Sequence, residues 1–501
     1  MFKRNQHIYI DKDLDKNLDF FEKELGAEES FDVIIRPFKI ADRKAAFIAI
    51  DGFVKDDILT EIMQSLSIIE YESEFWQEDF ENKIEDFIPY IEMDKENKID
   101  QLLLMVLSGS IVFLLDGMAQ AFVIDARTYP ARSPEEPDIE RVVRGSRDGF
   151  TETIVFNTAL VRRRVRDPKL RNRLINVGRR SKTDICISYL EDVANPELVK
   201  EIISRIEEIE IDAVPMAEKS LEEIIVPGNI WNPFPKVRYT ERPDVAAAHL
   251  FEGHILVMVD TSPSVMILPA TFFHHIQHVE EYRQNPAIGV YVRLIRFLAI
   301  IASIIVTPLW LLFALSPELL PDALSFIGPK KVGEIPLFVQ FLIGEAALDL
   351  MRMAAIHTPS PLATALGVIA AILIGDVAVQ IGLLIPEVII YTAVVAVGSF
   401  STPSYELAQA NRLVRLFLLL GVGFFKLPGL LITGGLVLLI LIVTKSFNVP
   451  YLWPLIPFNY RALKSILIRS PVLTQDVRPE ALKTRDIRRQ PGPALKRGGK
   501  K

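Results

Sequence analysis

Residues 294–444 constrain this chain more than any other stretch. Residues 294–314 carry Arg296 near their start, with Arg293 just before it, and no further charge to their end. A bilayer core needs roughly 20 apolar residues in a helix, so this segment is long enough to span one. Further apolar blocks lie at 335–356, 362–385, 388–400, 413–425 and 430–443. The chain before the block reads as a water-soluble region and the chain after residue 450 as a basic tail, so any function is exercised at, or through, a membrane.

Charge is distributed to match. The net charge of −8 comes mostly from the first hundred residues, where Asp and Glu crowd between Asp11 and Asp100, whereas residues 461–501 hold twelve Lys and Arg against three acids. An acidic front with a basic tail fits a membrane protein better than a nucleic-acid binder. Cys186 is the only cysteine, which excludes an intrachain disulfide framework and a cysteine metal cluster. The N-terminus shows no apolar signal segment, so the soluble part is expected to stay in the cytoplasm.

The expected fold is an α/β N-terminal cytoplasmic region of two subdomains followed by an α-helical polytopic membrane domain. The first subdomain covers 1–130. Strands are expected at 31–40, 45–50, 111–115 and 121–124 and a helix at 56–67, with the acidic run 70–100 as a solvated face. The proline-broken linker 131–137 opens the second subdomain, 131–285. Helices are expected there at 150–164, 196–209 and 245–251, strands at 170–177, 184–190, 255–259 and 265–268, and irregular chain over the proline-rich connector 227–243. The strand and turn at 112–116 resemble those at 256–260, which suggests two distant copies of one module. A helix at 271–282 leads to the membrane domain, 286–450, and the basic cytoplasmic tail covers 451–501.

Arg283, Arg293 and Arg296 flank the first span, and by the positive-inside rule they place the soluble region on the cytoplasmic side; the basic tail argues for the same side. Both ends inside require an even number of crossings. Residues 413–443 are long for one span, and Lys426-Leu427-Pro428-Gly429 breaks them into a two-armed hairpin. Counting both arms and 335–356 gives six spans; one span there without 335–356 gives four. Loop charges, with Arg352, Arg412 and Arg415 inside, lean towards six.

Glu345, Asp349 and Arg352 recur at helical spacing and share a face. A charge within a bilayer is costly unless it faces protein or water, so they are candidate pore or ion-path residues, against the alternative of a helix lying in the interface with its charged face in water. Asp376 and Gln380 mark a second polar stripe, read first as helix–helix contact and second as ion path. His274, His275 and His278 lack the partners of a metal site, and none is expected. The arginines at 162–164, 166, 171, 173, 179 and 180 have no aromatic platform for nucleic acid; they suit a solvated face, anionic lipid or the acidic first subdomain. No phosphate loop, dinucleotide fingerprint or nucleophile motif is present, and neither an enzyme nor a cofactor is expected.

Two stretches carry a resemblance. Residues 136–152 (EPDIERVVRGSRDGFTE) and 232–244 (NPFPKVRYTERPD) resemble the signatures of the A subunits of GerA-type spore germinant receptors. The membrane approach 275–284 and the arginine- and proline-rich tail are similar to one branch of that family. The resemblance implies a multi-pass protein of the spore inner membrane that acts in germination with other germination membrane proteins and membrane lipid. It implies a homo-oligomeric ring, pentameric in form, that conducts monovalent cations. The alternative is a non-conducting scaffold that organises receptors or the dipicolinic-acid release machinery. Within the signatures, Arg144, Gly145, Arg147, Gly149, Phe150 and Glu152 are expected in subunit contacts, and Pro233, Phe234, Pro235, Tyr239, Glu241, Arg242 and Pro243 in a rigid joint; both sets equally suit plain structural staples.

Overall fold

In the computed structural model the described residues are 9–40, 43–67, 84–127, 140–226, 231–320, 327–330, 333–357, 377–469 and 475–490. The chain divides into two units, one of residues 1–227, 237–269 and 470–501, the other of residues 228–236 and 270–469. The tail is therefore shared: its first part folds with the second unit and residues 475–490 with the first.

The first unit contains one module twice. The first copy runs α1 (Leu14–Leu25), β1 (Val33–Ile40), β2 (Arg43–Ile50), α2 (Asp56–Ser67), β3 (Met93–Glu96), α3 (Ile99–Leu107), β4 (Ile111–Leu115) and β5 (Ala121–Ile124). The second runs α4 (Ile154–Arg164), β6 (Leu170–Val177), β7 (Thr183–Leu190), α5 (Pro196–Glu207), α6 (Ala217–Ile225), β8 (Arg238–Thr240), α7 (Pro243–Glu252), β9 (Ile255–Val259) and β10 (Val265–Leu268). The sheets have orders β1-β2-β4-β5-β3 and β6-β7-β9-β10-β8, the same permutation, and every pairing is antiparallel. The hydrogen bonds repeat too. Asn17 accepts from Asp11 N and donates to Asp11 O (3.0 and 2.7 Å), as Asn157 does with Thr151 (2.7 and 2.6 Å). Asp116 and Asp260, each closing the central strand, accept from the first N–H of α1 and α4 at 3.1 Å.

Why the central strands read as unbroken apolar runs is plain from the packing. Ala46, Ile48, Val112 and Leu114 face one core with α1 and α3, while Phe47, Phe113 and Leu115 face another with α2. A sheet buried on both faces shows no alternation. The copies are joined through charge: Asp32 at the start of β1 takes Arg162 of α4 at 2.5 and 3.0 Å and Asn172 at 2.9 Å, with both ionic side chains wholly buried. Arg171 donates to Leu25 O (3.1 Å) and to Glu191 (2.6 Å). Of the three expectations for the basic stretch, contact with the acidic first copy holds for these two arginines.

The second unit is helical. Short helices α8 (Phe272–Ile276) and α9 (Glu280–Arg283) take the place of the single helix expected at 271–282. They are followed by α10 (Pro286–Leu315), α11 (Leu337–His357), α12 (Val377–Gln380), α13 (Pro386–Phe400), α14 (Tyr405–Val443) and α15 (Tyr460–Leu467). Two of these, Pro286–Leu315 and Tyr405–Val443, are long and apolar enough to cross a membrane. The second is folded in two. Lys426 leaves helical geometry (φ 52°, ψ −131°), with Pro428 just beyond it. The arms return on each other so closely that a Cβ at Gly429 would lie 1.8 Å from Gly421 O, and one at Gly421 2.6 Å from Thr433. In a straight helix residues eight apart lie about 12 Å apart along the axis, so only a hairpin brings these glycines together. The hairpin expected from the Lys426–Gly429 break is present. The ends of the arms are pinned near α8: Ser404 N donates to His275 O (3.3 Å), and Tyr451 joins Thr444 O (3.0 Å) to Phe272 N (2.9 Å).

Candidate functional site

The spacing of Glu345, Asp349 and Arg352 puts them on one face of α11, and that face meets the first arm of α14. There Arg415, Arg412 and Gln409 recur three residues apart, running the opposite way, so three rungs form. Arg415 grips Glu345 bidentately, 2.6 Å on both oxygens, and donates a third bond to Ser303 O of α10 at 2.7 Å. Arg412 pairs with Asp349. Arg352 reaches towards Gln409 and Ser399, both at 3.5 Å, and lies over the Phe400 ring. The rungs differ in access. Both side chains of the first are 2% exposed, whereas Asp349 is 31% exposed. Parallel N–H···O bonds to a carboxylate are among the stronger hydrogen bonds available to a side chain, and they offset the desolvation of both ions.

This geometry corrects two expectations. A helix lying in the interface with its charged face in water does not fit Glu345, whose side chain is sealed between α10, α11 and α14. Arg412 and Arg415 are not loop charges but residues within a helix, opposite the carboxylates they neutralise. The sequence signal for them was the three-residue spacing of Gln409, Arg412 and Arg415 at the start of an apolar arm. Gln380 sits exposed on α12, and Asp376 lies outside the described residues.

A second charged node holds the start of α10. Glu281 of α9 is wholly buried and takes Arg293 at 2.5 Å and Arg296 on its other oxygen. Arg293 continues to Ile466 O of α15 at 2.6 Å. Of the arginines read as flanking the span, Arg293 thus serves a buried pair. Of the histidines nearby, His274 completes the N-terminal cap of α8 with Thr271, His275 meets Ser404 Oγ at 3.3 Å, and His278 accepts from Glu280 N at 3.2 Å.

In the first unit the two signature stretches come together. Arg242, wholly buried, donates to Glu140 O (3.1 Å) and Ser146 O (2.7 Å) and pairs with Asp244 (3.0 Å). Thr240 donates to Glu140 (2.5 Å), Phe150 N to Glu241 O (2.8 Å), and Tyr239 to Glu222 (2.7 Å). Gly149, Phe150 and Pro243 are buried, and Arg144, Gly145, Arg147 and Glu152 are exposed. The other end of the second signature belongs to the second unit. There Asn232 donates to Thr444 (2.8 Å), Phe234 packs 6.1 Å from Tyr451, and Pro233 and Pro235 flank it. The same unit holds a histidine pair, His254 buried and His249 half-buried, with ring centroids 5.1 Å apart. Burial holds His249 well below its ordinary value, with Arg238 adding to the effect, and pushes His254 down to about 4.

The Bacillus/Clostridium GerA spore germination protein family matches residues 19–481. Stage V sporulation protein AF of Bacillus subtilis (strain 168) is 44% identical over 97% of this chain and 99% of its own. Spore germination protein KA of the same organism is 29% identical over 99% and 92%. Among solved structures, the N-terminal domain of the A subunit of the Bacillus megaterium spore germinant receptor GerK3 matches at 28% identity and a TM-score of 0.41, over 54% of this chain and 99% of that one. The chain belongs to the GerA family of spore germination proteins.

Proposed function

We propose that this protein is a multi-pass membrane protein of the spore inner membrane that forms a homo-oligomeric cation channel, or a subunit of one, releasing ions during germination. The observation that carries this reading is the ladder between α11 and α14. Helices this apolar keep two carboxylates and three arginines between them, and such residues in a bilayer mark ion paths by default. With Glu345 sealed by Arg415, Asp349 is the carboxylate left open enough to meet an ion. The hairpin supports counting the arms of α14 as two crossings, in keeping with an even number and with both termini on the core side. The relatives' names put their work in germination, which favours other germination proteins as partners; neither an enzyme activity nor a cofactor or nucleic acid belongs to this reading.

A non-conducting scaffold is the second reading, and one observation favours it: Arg412 and Arg415 neutralise both carboxylates within a single chain. Cation flux through the purified full chain in liposomes, together with its oligomeric mass, separates the two. The channel reading expects potassium or sodium flux whose preference over chloride drops in Asp349→Asn. An intact oligomer without flux overturns it in favour of the scaffold.

A further inference from the structure

Beyond the hairpin the chain turns back and presents an apolar, basic surface that the ladder does not use. Phe458 and Tyr460 are 68% and 65% exposed, beside the exposed Leu455 and Ile456. Helix α15 comes next, capped by Asn459 on Ala462 N (3.1 Å). Its inner face is fixed, with Ile466 and Leu463 in the core against α10 and α14, while Arg461 and Lys464 are exposed. From Lys445 to Gln475 the sequence holds no Asp or Glu.

Its level is set by bonds from Arg293 and Arg469. Arg293, in the second turn of α10, donates to Ile466 O at 2.6 Å, and Arg469 donates to Tyr282 O (2.6 Å) and to Gln284 O. Helix α15 therefore lies beside the turns where α10 passes from charged to apolar sequence, whose outer side chains Tyr291 and Leu298 are 65% and 63% exposed. Aromatic rings and long cations gather at that depth, where rings sit among headgroups and cations reach phosphate.

We propose that residues 455–468 form an interfacial collar that lies in the headgroup layer and binds anionic phospholipid, with Phe458 and Tyr460 inserted and Arg461 and Lys464 on the headgroups. A bilayer is the occupant because the patch continues the apolar face of α10 and its charge is of one sign. The inference rests on the reading that Pro286–Leu315 crosses a bilayer.

The test uses the full chain with Cys186→Ser and a single reporter cysteine, Phe458→Cys or Leu298→Cys, carrying an environment-sensitive fluorophore. Each is placed in vesicles of phosphatidylcholine with or without phosphatidylglycerol, with spin-labelled quenchers of either lipid. At position 458 the expectation is quenching by shallow labels, stronger from phosphatidylglycerol. Arg461→Gln with Lys464→Gln lowers that preference by up to about fivefold for each charge removed. Leu298→Cys is quenched by deeper labels in every vesicle. Quenching at 298 without quenching at 458, or equal quenching by both lipids, overturns the collar. No quenching at 298 overturns the spanning reading itself.

Discussion

Removing one side of the Glu345–Arg415 pair is the sharpest test of how the helical unit is held. Arg415→Met deletes two charge-assisted bonds to Glu345 and one to Ser303 O, and leaves a carboxylate whose side chain is 2% exposed. Breaking a buried pair from one side costs about 3–5 kcal/mol, because the remaining ion is uncompensated. Glu345→Gln strands the guanidinium and is expected to lose a similar amount. The double variant Glu345→Leu with Arg415→Met removes both ions and fills the space with apolar atoms, so its loss is expected to be no more than about 1–2 kcal/mol. The measurement is unfolding of the full chain in mixed micelles by titration with a denaturing detergent. Tryptophan fluorescence is the probe, since Trp310 meets Phe341 of α11 edge to face, ring centroids 5.6 Å apart. Partners in contact give non-additive losses, whereas independent sites add within about 0.5 kcal/mol. Single losses that sum to the double loss would refute the pairing.

Particular contacts set the other expectations. Gly429→Val places a side chain against Gly421 O, so the hairpin opens; a thiol at Lys426→Cys in a Cys186→Ser background, labelled from the face opposite Ser404 in the parent, then changes its accessibility, and unchanged labelling counts against the close approach. Arg242→Lys keeps the charge but loses the fork that holds Glu140 O and Ser146 O together; amide exchange at residues 140–150 is expected to rise well before any change in the first copy, and uniform exchange across both copies would dismiss the anchoring role of Arg242. His254, held at about 4 against 6.5 when unfolded, binds a proton less readily in the folded chain. Its contribution is complete above about pH 6.5 and is lost as pH falls towards 4, worth about 3 kcal/mol. Glu252, raised by burial, works in the opposite sense; the quantity to compare is therefore the pH slope of the wild type with that of His254→Gln, which is expected to be flatter.

In the first unit the strands were legible because each is a short apolar run closed by turn residues, and all but the edge strands β3 and β8 were found from the residues alone. Those two were hidden for a physical reason. β3 lies in the acidic run, with Asp94 and Lys95 exposed, and β8 is only three residues long within a proline-rich stretch. Helix α1, with its cap Asp13 and the stripe of Leu14, Phe21 and Leu25, is not among the helices expected from the sequence. In the helical unit, α11's charged face was legible from its own spacing, but its partners were not. Which helix covers a charged face is decided by tertiary packing, and Arg412 and Arg415 carried a second plausible meaning as flanking charges.

The duplication also explains what the signatures do. In the first copy Ile10 N donates to Asn97 O (2.9 Å), and in the second Phe150 N donates to Glu241 O (2.8 Å). Each bond ties the segment before the copy's first helix to the residue before a later helix, α3 or α7, whose caps are Lys98 and Arg242. Both copies thus need this joint for the module to close. The second adds a buried guanidinium where the first has a half-buried Lys98, and the added group fixes the preceding loop by its backbone. Side chains of the loop are engaged as well: Glu140 accepts from Thr240, and Ser146 and Asp148 accept from Arg164. Arg144, Gly145 and Arg147 lie on its exposed side, while Gly149 and Phe150 are buried in the module the loop closes.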